Sequence, residues 1–146
     1  MRLRIGYPDR ASEREILASG ELAAASSVRE VMGRDELLAL QERAAQVTVD
    51  PSIEDYLLSI VERTRKNDAL ALGVSPRGAQ AFYRASQALA LAEGREYVIP
   101  DDVKRVAAPV CAHRVLLNSR ATLSQKTTET AERVIQEILN ETDVPI

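Results

Sequence analysis

Between Asp50 and Lys66 the side chains sort onto two faces at a period of about 3.6 residues, so this part of the chain must be helical. Ile53, Tyr56, Leu57, Ile60, Val61 and Thr64 recur at intervals of three and four, with Glu54, Asp55, Glu62 and Lys66 opposite. Asp50-Pro51 supplies the start: a carboxylate that can cap a free amide, then a proline where no donor is needed. A helix with one apolar stripe must bury it against other helices or a sheet.

The rest of the chain offers helices. Ser75-Pro76 repeats the cap-plus-proline device and opens a long helix to about Ala92. Its predicted inner stripe is Ala81, Phe82, Ala85, Ala88, Leu89 and Ala92, with Gln80, Arg84 and Gln87 outward; Gly94 stops it. Pro100 begins another helix through Val103, Val106, Ala107 and Val110, and a final one carries Ala131, Val134, Ile135, Ile138 and Leu139. Leu37, Leu38, Leu40, Ala44 and Ala45 mark a helix upstream, and Asp9 starts an earlier one with Ile16 and Leu17. Residues 23–33 read as a loop and residues 118–128 as an exposed polar connector. Strand signals are slight: Arg2-Leu3-Arg4-Ile5 alternates, and Val47-Thr48-Val49 is set to pair with Tyr97-Val98-Ile99. The expected fold class is all-α, a helical bundle with at most one minimal two-strand pairing.

At 146 residues the chain fits one domain, and 45% hydrophobic with 28% charged residues is the composition of a globular protein. Aromatic residues make up only 3%, so the interior is built from small aliphatic side chains that suit closely packed helices. A formal charge of −3 weighs against a nucleic-acid coat or a polybasic membrane binder. Cys111 is the only cysteine, which excludes an internal disulfide and a CxxC metal site. No apolar run reaches the ~20 residues of a membrane span, and Met1 to Ile5 lacks the features of a signal peptide, so the expected location is cytoplasmic.

Catalytic signatures are absent. The chain has no GxxxxGK[ST] phosphate loop, no GxSxG and no HExxH. His113 and Cys111 are too few for zinc, and Asp101-Asp102, just after Pro100, reads as favourable charge at a helix N-terminus rather than a magnesium pair. No metal site is expected. One motif carries chemistry: Ser75-Pro76-Arg77 sets a guanidinium in the first turn of a helix, where free amides and the dipole welcome an anion. On residues alone it is more simply a capped helix whose second position happens to be arginine.

Leu72-Gly73, Ser75-Pro76-Arg77, Gly94-Arg95, Tyr97-Val98, Pro100, Asp102-Val103 and His113-Arg114 stand in an order and spacing that resembles the lid of MoxR-family AAA+ ATPases. There the pattern is LGxSPRA, an Ala/Leu-rich helix, GRxYVxPxDV and a closing HR. Ile5-Gly6-Tyr7-Pro8-Asp9-Arg10, the helix at Glu36 to Gln41, and Thr64-Arg65 extend the resemblance over nearly the whole chain. Magnesium chelatase ATPase subunits have related lids.

The resemblance implies that residues 1–8 are the remnant of the last strand of an AAA+ core and residues 9–146 a helical lid. It implies that the phosphate loop, Walker B acids, sensor 1 and arginine finger lie upstream in a parent that binds ATP and Mg, with neither held tightly by this chain. Arg77 takes the place of sensor 2, reaching the γ-phosphate, with Ser75 as N-cap and Pro76 at the first helical position. The implied partners are the cores of the same and neighbouring subunits in a homo-hexamer, and proteins with a von Willebrand A domain; no nucleic acid and no membrane insertion are expected. The implied work is ATP-driven remodelling of a chaperone-like kind, to which this chain alone contributes no ATPase activity.

Two departures stand out. Gly78 replaces the usual alanine after the arginine, and Ile99 replaces a capping threonine, so both helix starts are expected to be less rigid. Two other classes compete with the lid: a stand-alone helical adaptor that binds protein without nucleotide, and a nucleic-acid binder using Arg63, Arg65, Lys66 and Arg77. Acidic neighbours Glu54, Asp55 and Glu62 weigh against the second.

Overall fold

The helix foreseen at Asp50 is α3 (Pro51–Lys66), and every residue of its predicted stripe is buried. Asp50 caps it as expected, accepting from the Ser52 amide at 2.8 Å and the Ser52 hydroxyl at 2.6 Å. The structure, a computed structural model, describes residues 1–26, 29–118 and 127–145. Before α3 come α1 (Arg10–Ser26) and α2 (Arg34–Gln46); after it come α4 (Pro76–Ala92), α5 (Pro100–Cys111) with a 3-10 turn (Ala112–Arg114), and α6 (Thr127–Glu141). Two short strands, β1 (Leu70–Leu72) and β2 (Leu116–Leu117), pair antiparallel with Leu70 opposite Leu117 and Leu72 opposite Leu116.

The interior is shared by α3, α4, α5 and α6. Ile60, Phe82, Val103, Ala107 and Ile135 are fully sequestered, and the predicted stripe of α6 is buried throughout. At about 25 cal/mol per Å² of apolar surface removed from water, these aliphatic faces are the main stabilising term. Gly94, at φ +77°, ends α4 as expected: the Arg95 amide reaches Ala90 O and the Gly94 amide Leu91 O, both at 2.9 Å.

Several expectations are corrected. The pairing of Val47-Thr48-Val49 with Tyr97-Val98-Ile99 is present only as one parallel bridge between Thr48 and Tyr97, while the longer pairing, β1 with β2, went unforeseen. Strands of three and two residues are too short to show a period of two in the sequence. Residues 1–9 form no strand; the Arg2 amide donates to Pro109 O at 2.7 Å, and Arg4 bonds Glu132 at 3.2 Å. A strand requires an edge to pair with, and here the segment meets helices instead. Residues 23–26, expected in a loop, continue α1. Most of the expected connector at residues 118–128 lies outside the described residues.

The stripe of α4 is rotated from the one predicted. Ala88 and Ala92 are exposed, while Ser86 and Gln87 are buried. Gln87 can sit inside because its amide is satisfied: Nε2 donates to Val47 O at 2.7 Å, at the C-cap of α2, and Oε1 accepts from Arg84 at 2.9 Å. The side chain serves the orphan carbonyls of α2, which fixes that helix against α4.

Candidate functional site

Ser75, Pro76 and Arg77 lie where the sequence places them. Ser75 is the N-cap of α4, its hydroxyl accepting from the Gly78 amide at 3.1 Å, and Pro76 occupies the first turn. Arg77 follows, exposed, on the rim of a groove of about 690 Å³ between α3 and α4 that also touches Glu54, Leu58, Tyr83 and Arg84. Opposite it, the Tyr83 hydroxyl donates to Glu54 at 3.0 Å; burial first, then this carboxylate, raises the phenol above its ordinary range.

Arg77 differs from its neighbours. Six arginines lie between Pro51 and Cys111, and five are engaged. Arg63 faces Glu141 at 3.8 Å, Arg65 holds Val74 O at 2.9 Å, Arg84 holds Gln87, Arg95 holds Asp102 at 2.6 Å and Arg105 holds Glu93 at 2.8 Å. Arg77 makes no hydrogen bond or ion pair among the described residues. A guanidinium left with all its donors in water, beside the amides of a helix start, is disposed to receive an oxyanion.

The segment before it is held tightly. Thr64 Oγ donates to Val61 O at 2.6 Å and accepts from the Val74 amide at 3.0 Å, and Arg65 Nε donates to Val74 O. Gly73 presses so closely on α3 that a Cβ there would lie 2.6 Å from Arg65 N and from Thr64 C. Gly78 is also a packing residue: a Cβ there would stand 2.8 Å from Val74 Cγ1. The helix start expected to be loose is therefore close-packed, and the glycine is the reason it fits. Thr64-Arg65 was legible only as part of a motif; nothing in its spacing announces that it grips Val74.

The turn before α5 is likewise stronger than expected. Ile99 provides no side-chain cap, but Asp102 reaches back to the Ile99 amide at 3.0 Å and takes both arms of Arg95 at 2.6 Å each. Burial pushes the Asp102 carboxyl up, yet the Arg95 hydrogen bonds, the Ile99 amide and the charges of Arg95 and Arg105 outweigh it and leave the group below the ordinary carboxylate range. Asp101 stays exposed, facing Lys104 at 3.7 Å. The aspartates thus act separately, and among the described residues no three His, Cys, Asp or Glu side chains gather into a metal site.

Cys111 is buried, its thiol pushed up to about 12. His113 is exposed beside the Arg114 guanidinium; desolvation first, then that charge, holds the imidazole below its usual value. Neither is placed for catalysis. The basic patch of Arg63, Arg65, Lys66 and Arg77 does not present itself as a unit either: Arg63 and Lys66 face Glu141 and Glu62, and Arg65 is turned to Val74. Among the described residues no helix is long and apolar enough to cross a membrane.

This bundle, with its small antiparallel pair and the capped start of α4, has the architecture of a helical lid. The AAA lid domain family matches residues 62–138. The chain is 35% identical to the uncharacterized protein YeaC of Bacillus subtilis over 99% of its own length and 45% of that protein's. It is 33% identical to the chaperone MoxR1 of Mycobacterium tuberculosis over 94% of its own length and 39% of that protein's. The solved structure of a "putative ATPase" from Cytophaga hutchinsonii superposes with a TM-score of 0.78 at 25% identity, covering 97% of this chain and 45% of that one. The chain belongs to the AAA lid domain family. It spans less than half the length of the relatives it matches.

Proposed function

We propose that this lid closes over ATP held by the catalytic core of a longer parent, with Arg77 contacting the terminal phosphate as the sensor 2 residue. The observation that carries the reading is the free Arg77 guanidinium on a helix start capped by Ser75 and begun by Pro76. A planar fork with unused donors fits the oxygens of a phosphoryl group, and the amides of the first turn add to the local positive potential. The chain fits the phosphate but not its magnesium. Asp102 is consumed by Arg95 and Asp101 faces Lys104, so this reading assigns the metal ligands to the core.

In this reading Arg77 donates to an oxygen whose charge grows as the terminal phosphoryl departs, stabilising the transition state more than the ground state. Hydrolysis and phosphate release remove the anion that holds the lid down. The lid then opens, and in a ring of identical subunits that movement passes to the neighbouring core. The MoxR1 relative, named a chaperone, supports a remodelling role for the parent. Partners with a von Willebrand A domain rest on the resemblance alone.

The test is nucleotide discrimination by the full-length protein. Arg77→Ala is expected to weaken binding of a non-hydrolysable ATP analogue about tenfold or more, the worth of a charge-assisted hydrogen bond, and to leave ADP affinity unchanged. Equal loss for both nucleotides, or no loss for either, overturns the assignment.

A further inference from the structure

We infer that Thr64 and Arg65 are positioning residues for Arg77: together they clamp the backbone of Val74 and so fix the origin of the helix that carries the arginine. This rests on the sensor 2 reading of Arg77 and adds the device that aims it.

Arg77 cannot aim itself, since no neighbour among the described residues holds its side chain. Its place in space is set by the backbone three residues earlier. There the Val74 amide is bound by Thr64 Oγ at 3.0 Å and the Val74 carbonyl by Arg65 Nε at 2.9 Å. Two consecutive residues of α3 thus satisfy both polar groups of a single residue. Val74 itself is 1% exposed, so its amide has no water to fall back on. Gly73, with room for a hydrogen but not a methyl, lets the loop approach α3 closely enough for both bonds.

From Val74 onward the path is stiff. Ser75 is held to Gly78 by its cap and Pro76 has a fixed φ, which leaves Arg77 few backbone alternatives. Thr64 is further anchored by its own bond to Val61 O, so the hydroxyl points one way. The chain of constraint runs from the packed stripe of α3, through Thr64 and Arg65, to Val74 and the guanidinium. Misplacing a catalytic group by ~1 Å can cost about a hundredfold in rate, so loosening the clamp should register in turnover.

The experiment is a mutant cycle on ATP turnover in the full-length protein, with melting followed in parallel. Thr64→Val keeps the shape and removes the hydroxyl. It is expected to lower kcat about tenfold, with Thr64→Ser restoring most of it. Arg77→Ala is expected to lower kcat about a hundredfold, and Thr64→Val/Arg77→Ala to be no slower than Arg77→Ala alone, because the clamp acts only through the arginine. A purely structural Thr64 would slow the double variant by its full factor again, and that result overturns the proposal. So does unchanged kcat in Thr64→Val while Arg77→Ala is impaired, an outcome that leaves the sensor reading standing. Unchanged turnover in Arg77→Ala removes the sensor reading and the clamp's purpose with it. If Thr64→Val does not fold, Arg65→Ala, at an exposed position, takes its place in the same cycle with the same expected non-additivity.

Discussion

Gly73 shows how one residue decides how closely the loop before α4 can approach α3. Its missing Cβ would fall 2.6 Å from two backbone atoms of α3, neither of which can rotate away. Gly73→Ala is therefore expected to destabilise the lid by about 1–3 kcal/mol, the usual cost of overpacking, read as a fall in melting temperature. Tyr56 gives the contrast. Its hydroxyl is buried without a partner among the described residues, and burial, with the charge of Asp101, raises its pKa. Tyr56→Phe removes a desolvated group that bonds to nothing, so stability should hold within about 0.5 kcal/mol or rise. Ser75, Pro76 and Arg77 were legible because capping follows from local chemistry. The contacts of Gly73 with α3 and of Thr64 with Val74 were not, because a close approach between segments leaves no periodic trace.

Among the elements, the turn from α4 to α5 depends on a buried pair. Asp102 is 1% exposed and bound to both arms of Arg95, so Asp102→Asn at neutral pH is expected to cost about 2–3 kcal/mol. The pH dependence follows. The folded carboxyl lies below its ordinary value of 3.8, so folding favours the ionised form. Its stabilisation is complete above pH 3.8 and disappears as pH falls through the lower, folded value. Melting curves between pH 5 and about pH 2 should fall more steeply for the native chain than for Asp102→Asn; parallel curves would contradict the pairing. The helix stripes of α3 and α6 were legible from spacing alone. Gln87 was misread because polarity says outside, whereas two free carbonyls near the end of α2 make the inside favourable.

For the whole molecule, the sequence foretold an all-α bundle because four amphipathic helices can bury their stripes only in one another. It could not foretell which surfaces stay bare. The described side chains of α1 are all exposed, including Ile16 at 59% and Leu17 at 81%, so these residues add little to the shared core. The closing helix does the opposite. Ile135 is fully buried where α6 packs on α3 and α5, and Ile135→Ala should destabilise the bundle by about 2–5 kcal/mol in thermal or urea unfolding. Stability therefore resides in the packed stripes of α3 to α6, whereas the side chain of Arg77, though carried by α4, is exposed.

That separation makes the central claim testable in one comparison. ATP turnover and lid melting are measured for the full-length protein with Arg77, Arg77→Lys and Arg77→Ala. Because Arg77 is exposed and makes no hydrogen bond or ion pair among the described residues, its removal should shift stability by less than about 0.5 kcal/mol. Turnover should nonetheless fall about a hundredfold for alanine and recover only partly for lysine, which keeps the charge but loses the planar fork. Full turnover in Arg77→Ala, or a turnover loss matched by melting of the lid, would contradict the account.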